Sequence, residues 1–65
     1  MTYADKIRKL RKELGLTQLK LGKLVGVSQV SVSFWESEFQ CPNAARLEKL
    51  NKLAKKHGIK INFGE

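Results

Sequence analysis

The sequence predicts an all-α domain, a compact bundle of four helices, or five, followed by a short extended segment. Three observations lead there. Apolar residues recur at helical spacing in four separate windows. Each window opens on a capping residue, namely Thr2, Thr17, Ser28 or Asn43. Each closes on a breaker: Gly15, Gly26, Pro42 or Gly58.

The first helix is expected from about residue 3 to 14. Tyr3, Ile7, Leu10 and Leu14 share one face there, with Lys6, Arg8, Lys9 and Lys12 on others. The second spans about 17–25, with Leu21, Leu24 and Val25 as its apolar stripe. Gly22 inside it costs about 1 kcal/mol relative to Ala, a cost that makes sense where another helix approaches closely. The third, about 28–37, conflicts with its own propensities. Val30, Val32 and Phe34 alternate with Ser31 and Ser33, which on pattern alone is a half-buried strand. Read as a helix, the segment turns Val32, Trp35 and Glu36 inward, and leaves Gln29, Val30, Ser33 and Phe34 on or near the outer face. The fourth, about 43–57, places Leu47, Leu50, Leu53 and Ala54 inward. In the tail, about 59–63, Ile59, Ile61 and Phe63 alternate with Lys60 and Asn62, the pattern of a short strand.

Composition narrows the function classes. The chain has 65 residues and suits one small domain, 1–65, with a thin core. Thirteen Lys and Arg against six Asp and Glu give a net charge of +7, which favours a polyanionic partner. The single cysteine, Cys41, allows no internal disulfide and fits a reducing compartment. No apolar run is long enough for a membrane span, and the N-terminus lacks a signal-peptide core. The expected location is the cytoplasm of a cell without a nucleus to enter, with no membrane partner. The lone His57 and lone Cys41 offer no metal cluster, and the scattered glycines form no phosphate loop. No catalytic constellation and no cofactor are expected.

Two short helices joined by a glycine-containing turn outline a helix-turn-helix. "TQLKLGKLVGVSQVSVSFWE", residues 17–36, goes further. It resembles the helix-turn-helix family of phage repressors, Cro proteins and small bacterial regulators. The shared elements are Thr17-Gln18, Leu21-Gly22, Gly26-Val27-Ser28, Val32 and Trp35-Glu36, with Arg11 before and Pro42 after. The resemblance covers roughly residues 5–58. It implies a repressor/Cro-type bundle and a transcriptional regulator that blocks transcription by occupying an operator. It also resolves the conflict over residues 28–37 in favour of a recognition helix.

In such a unit the second helix enters the major groove, N-terminal end first. Gln29 is then the main base reader, because its amide matches adenine N6 and N7. Val30 and Phe34, four apart and side by side, suit thymine methyl groups. Ser28 and Ser33 can reach a base or phosphate. Phe34 stands where the family often has a polar residue, and a sideways fold onto the core or a place in a protein interface is the alternative. The resemblance gives Gln18 a phosphate contact and a bracing bond to Gln29. It makes "QCPN" and the start of the last helix a second phosphate site, so Thr17, Gln18, Gln40 and Asn43 are the phosphate-side candidates. Glu38 occupies a position usually held by Gly, which brings a negative charge and a demanding turn to that site. Arg11 and Glu36 correspond to a structural ion pair of the family. The expected partner is double-stranded DNA, as a palindromic operator bound by a weak homodimer, including one that forms only on DNA. Ile59, Ile61 and Phe63 are candidate dimer contacts, against the alternative of a flap on their own domain. A second functional reading keeps the fold and makes the chain a DNA-binding antitoxin with a toxin partner.

Overall fold

The structure, a computed structural model, describes residues 2–63. Helix α1 runs Tyr3–Glu13, α2 Gln18–Val25, α3 Gln29–Glu36 and α4 Ala44–Lys56. The four starts share one device. Thr2, Thr17, Ser28 and Asn43 are extended, and each side chain accepts from the backbone N–H three residues on. Each thereby satisfies an amide that the helix itself leaves without a partner. At α1 the bond is reciprocal, since Asp5 also accepts from the Thr2 N–H.

Three ends share another device. After α1, the N–H of Gly15 donates to Lys12 O and that of Leu16 to Arg11 O. After α4, Gly58 donates to Lys55 O and Ile59 to Ala54 O. After α3, Glu38 donates to Trp35 O and Phe39 to Phe34 O. This is the Schellman arrangement, which needs a left-handed residue in its middle. Gly15 and Gly58 supply it at φ 66° and 70° without strain, whereas Glu38 adopts φ 65° with a side chain in place.

α3 packs against both α1 and α2, and α2 also touches α4. The core comprises Ile7, Leu10, Leu21, Val25, Val32, Trp35, Leu50, Ala54 and Phe63, all nearly inaccessible. The strand-like stretch 30–34 is helical for this reason. β-branched and Ser residues cost a helix only a few tenths of a kcal/mol each. Burying Val32 alone is worth roughly 1.5–3 kcal/mol, and the indole of Trp35 adds a still larger area. Tyr3, Leu14, Leu47 and Leu53 border this core, half-buried.

Several expectations are corrected. The helices number four among the described residues, with no fifth. The tail forms no strand among those residues. Instead it folds back on its own domain. Phe63 is 2% exposed, its N–H donates to Asn51 Oδ1 at 2.6 Å, and its carbonyl accepts from Asn51 Nδ2 at 2.7 Å. Lys6 Nζ donates to the Asn62 carbonyl at 2.7 Å. Phe63 therefore fills the core and is not a free dimer contact, while Ile59 and Ile61 remain half-buried at its edge. Leu24 points away from the core and is 57% exposed. Gly22 is close-packed, but against the incoming turn rather than the flank of another helix: a Cβ there would lie 2.6 Å from Val27 O and 3.2 Å from the Ser28 carbonyl.

Candidate nucleic-acid interface

The α2–turn–α3 unit is held by contacts at both ends. In the turn, Gly26 takes φ 79° and donates to Gly22 O, which also accepts from Val27 N–H at 2.8 Å. The close approach at Gly22 sets how near α3 begins to α2. Cations from α4 reach the same point, since a side chain at Gly26 would meet Lys49 Nζ at 3.4 Å and Arg46 Nη1 at 3.9 Å. They lie at the negative end of the α2 dipole, where positive charge is favoured.

The far end of α3 is tied to α1. Arg11 grips Glu36 with two nitrogens, Nε to Oε2 at 2.8 Å and Nη2 to Oε1 at 3.0 Å. Glu36 is 7% exposed, and Arg11 Nη1 also donates to the Leu16 carbonyl at 3.2 Å. The hydrogen bond to Glu36, more than its charge, raises the Arg11 pKa above its ordinary value. Arg8 donates to the Glu36 carbonyl, one of the acceptors that a helix C-terminus leaves open. Its other nitrogen holds Asp5 Oδ1 at 2.8 Å. The Thr2 backbone bond, then Arg8, keep the Asp5 carboxyl below its ordinary pKa. Two guanidinium groups thus offset a carboxylate at the negative end of α3.

This frame presents the start of α3 to solvent. Ser28, the N-cap, and Gln29 are exposed, and Val30 is 58% exposed. Ser28 Oγ is engaged locally, accepting from Ser31 N–H at 3.2 Å. Ser33 and Phe34 are half-buried further along. The Phe34 ring turns sideways onto Phe39, with centroids 4.9 Å apart and planes tilted by 47°.

The phosphate-side candidates are placed differently from one another. Thr17 and Asn43 are exposed, but their side-chain oxygens serve as caps, accepting from Lys20 and Arg46 N–H at 3.1 and 2.9 Å. The amides just after each cap are the ones free for an anion. Gln40 is exposed, and its backbone N–H is spent on the Phe34 carbonyl at 3.3 Å. Gln18 departs from expectation. Its Nε2 donates to Glu36 Oε1 at 3.4 Å, bracing the ion pair rather than Gln29. Glu36 Oε1, which also accepts from Arg11 Nη2, is an ionised acceptor, and such acceptors form the stronger hydrogen bonds.

Sequence reasoning passed over three residues. Arg8 fixes the end of α3, Asn51 holds the tail, and Phe39 is 73% exposed beside the candidate surface. Only Phe39 carried a signal, as an aromatic directly after Glu38 at a turn position. No group of residues suited to a metal ion occurs among the described residues, and no helix there is long and apolar enough to cross a membrane.

This geometry has close counterparts. The model of a family described as helix-turn-helix matches residues 7–62. The chain is 46% identical over 48 residues to repressor protein C2 of Salmonella phage P22, covering 74% of this chain and 22% of that protein. It is 37% identical over 65 residues to the HTH-type transcriptional regulator DicA of Escherichia coli K12, covering 100% of this chain and 48% of that regulator. The chain thus spans half or less of both curated relatives. Among solved structures, the solution structure of the DNA-binding domain of the P22 C2 repressor superposes with a TM-score of 0.78 at 40% identity, covering 85% of this chain and 72% of that one. The crystal structure of the same repressor with a synthetic operator also gives 0.78, at 36% identity, covering 92% of this chain and 96% of that one. By this match over residues 7–62 and these likenesses, the chain belongs to the phage-repressor type of the helix-turn-helix family.

Proposed function

We propose that this chain is a sequence-specific double-stranded DNA-binding domain that regulates transcription by occupying an operator. The observation that carries the reading is the exposed start of α3, with Ser28, Gln29 and Val30 presented by a helix anchored at both ends. Likeness to a repressor solved with its operator supports it. Gln29 reads an adenine edge, Val30 and Phe34 meet thymine methyl groups, and Ser28 and Ser33 add polar contacts. The helix starts after Thr17 and Asn43, with Gln18 and Gln40, face the phosphates. The domain works by binding rather than catalysis, in the cytoplasm of a bacterial or phage-infected cell.

One module of this size covers little DNA, so two copies on a palindromic operator are part of the proposal. Their recognition helices would sit about 34 Å apart, one turn of DNA. Ile59 and Ile61, at the outer edge of the tail, are the candidate contacts between copies.

Selection of bound duplexes from a random pool tests the reading. A preferred, symmetric site is expected. Gln29→Ala should then lose about 1–3 kcal/mol of discrimination at one base pair while nonspecific binding persists. A pool that yields no preferred site would refute the proposal, and an unchanged preference in the variant would remove Gln29 from the interface.

A further inference from the structure

Between Lys23 and Arg46 the chain carries neither Lys nor Arg. α3 and the loop after it thus lack the cations that pair with guanine O6 and N7 or with phosphate. The charged side chains in this stretch are Glu36, which is buried, and the exposed Glu38, which repels phosphate. What the surface offers instead is a set of apolar groups. Val30 and Phe34 are one helical turn apart, and the Phe39 ring, past the helix end, lies against Phe34. Among the described residues Phe39 is the most exposed of the large apolar side chains, at 73%. Its backbone is nonetheless tied to the end of α3. The Phe34 carbonyl accepts from Phe39 N–H at 3.0 Å, from Gln40 N–H at 3.3 Å and from Ser37 Oγ at 3.2 Å. The two rings make the apolar contact that accompanies a Schellman turn. An exposed aromatic beyond the end of a recognition helix that carries no Lys or Arg suits one feature of the major groove above others, the pyrimidine C5-methyl group.

We propose that Phe39, stacked on Phe34, is a specificity-determining residue that reads a pyrimidine C5-methyl group beyond the base pairs met by the start of α3. The inference rests on the DNA-binding reading above. Its ligand is the methyl group itself, carried by thymine or by 5-methylcytosine. Phe39 does not distinguish the two, because both project the methyl from the same ring position. Burying one methyl group changes affinity about four-fold.

The test uses the duplex returned by selection and fluorescence anisotropy with the full chain. Each thymine is replaced singly by uracil, which deletes only the methyl. In a second arm, cytosine and 5-methylcytosine are compared at the same positions. The protein should bind about four-fold more weakly to uracil at one or two positions that Gln29→Ala leaves unaffected. At those positions it should favour 5-methylcytosine over cytosine by a similar factor. Phe39→Ser should bind the methylated and unmethylated duplexes equally there, while Phe39→Leu keeps part of the difference. Trp35 fluorescence during unfolding checks that each variant is folded. Equal thymine-to-uracil ratios in the protein and in Phe39→Ser overturn the inference and leave DNA binding intact. So does a Phe39→Ser variant whose self-association changes in sedimentation while that ratio does not, since the face then belongs to a second copy. A pool without any preferred duplex overturns both proposals together.

Discussion

Removing Arg11 is expected to cost this domain a large share of its stability. In Arg11→Ala, the Glu36 carboxylate stays buried at 7% exposure and loses both short bonds, at 2.8 and 3.0 Å. Gln18, at 3.4 Å, is the side chain left to answer it. Breaking one side of a buried pair costs about 3–5 kcal/mol. A domain of 65 residues has roughly 3–10 kcal/mol in all, at the usual stability per residue. Urea unfolding followed by the buried Trp35 should therefore show a midpoint near zero denaturant, or a Tm lowered by at least about 12 °C. Arg11→Met with Glu36→Met should recover much of the loss, because removing both charges leaves nothing unpaired. The pair should also persist in alkali. Its raised Arg11 pKa means that its contribution is complete below the ordinary guanidinium range and fades only above it. If the single variants each cost under about 1 kcal/mol and their effects add, Glu36 is solvated and the pair behaves as an exposed one. The far end of α3 would then not be anchored by a buried ion pair.

Other expectations address separate parts of the molecule. Glu38→Gly should raise stability by about 0.5–1 kcal/mol in chemical unfolding, because relief of the left-handed strain exceeds the added freedom of the unfolded chain; a loss would mean that the Glu38 side chain contributes contacts. Asn51→Ala should cost about 1–3 kcal/mol and expose the Phe63 amide to hydrogen exchange, since both its bonds to the tail vanish; unchanged protection would show that the tail is not held this way. Asp5→Asn should lower the Tm at neutral pH, with the gap closing as pH falls from about 5 toward 2. A depressed carboxyl pKa contributes above its unfolded value and is lost as the folded group protonates; a gap constant over that range would count against it. Finally, DNA affinity should fall steeply with salt, and Lys49→Gln, at the α2–α3 turn, should flatten the logarithmic slope by about one. An equal slope in both proteins would place Lys49 away from the phosphates.

The local parts of this architecture are written into short stretches of sequence. Thr2, Thr17, Ser28 and Asn43 mark the helix starts because a capping side chain reaches only three residues ahead. Gly15 and Gly58 mark ends because a left-handed residue is needed there, and the amino acid at that position alone reveals it. The motif spacing then supplied the placement of Gln29 and Val30 at the exposed start of α3, since helical geometry alone turns Val32 and Trp35 the other way. What tertiary structure decided are outcomes of competition between distant groups. Residues 30–34 alternate like a strand, and burial of Val32 and Trp35 against α1 and α2 makes them helical. Ile59–Phe63 alternate in the same way, and Asn51, twelve residues from Phe63, offers both bonds that a strand partner would have offered. Gln18 was expected to brace Gln29, and the folded chain brings it the buried Glu36 carboxylate instead. Phe34 and Phe39 meet because Glu38 turns left-handed between them, a conformation its residue type does not announce. Propensity, capping and spacing act over a few residues; which of two reachable partners is met depends on where the rest of the chain comes to lie.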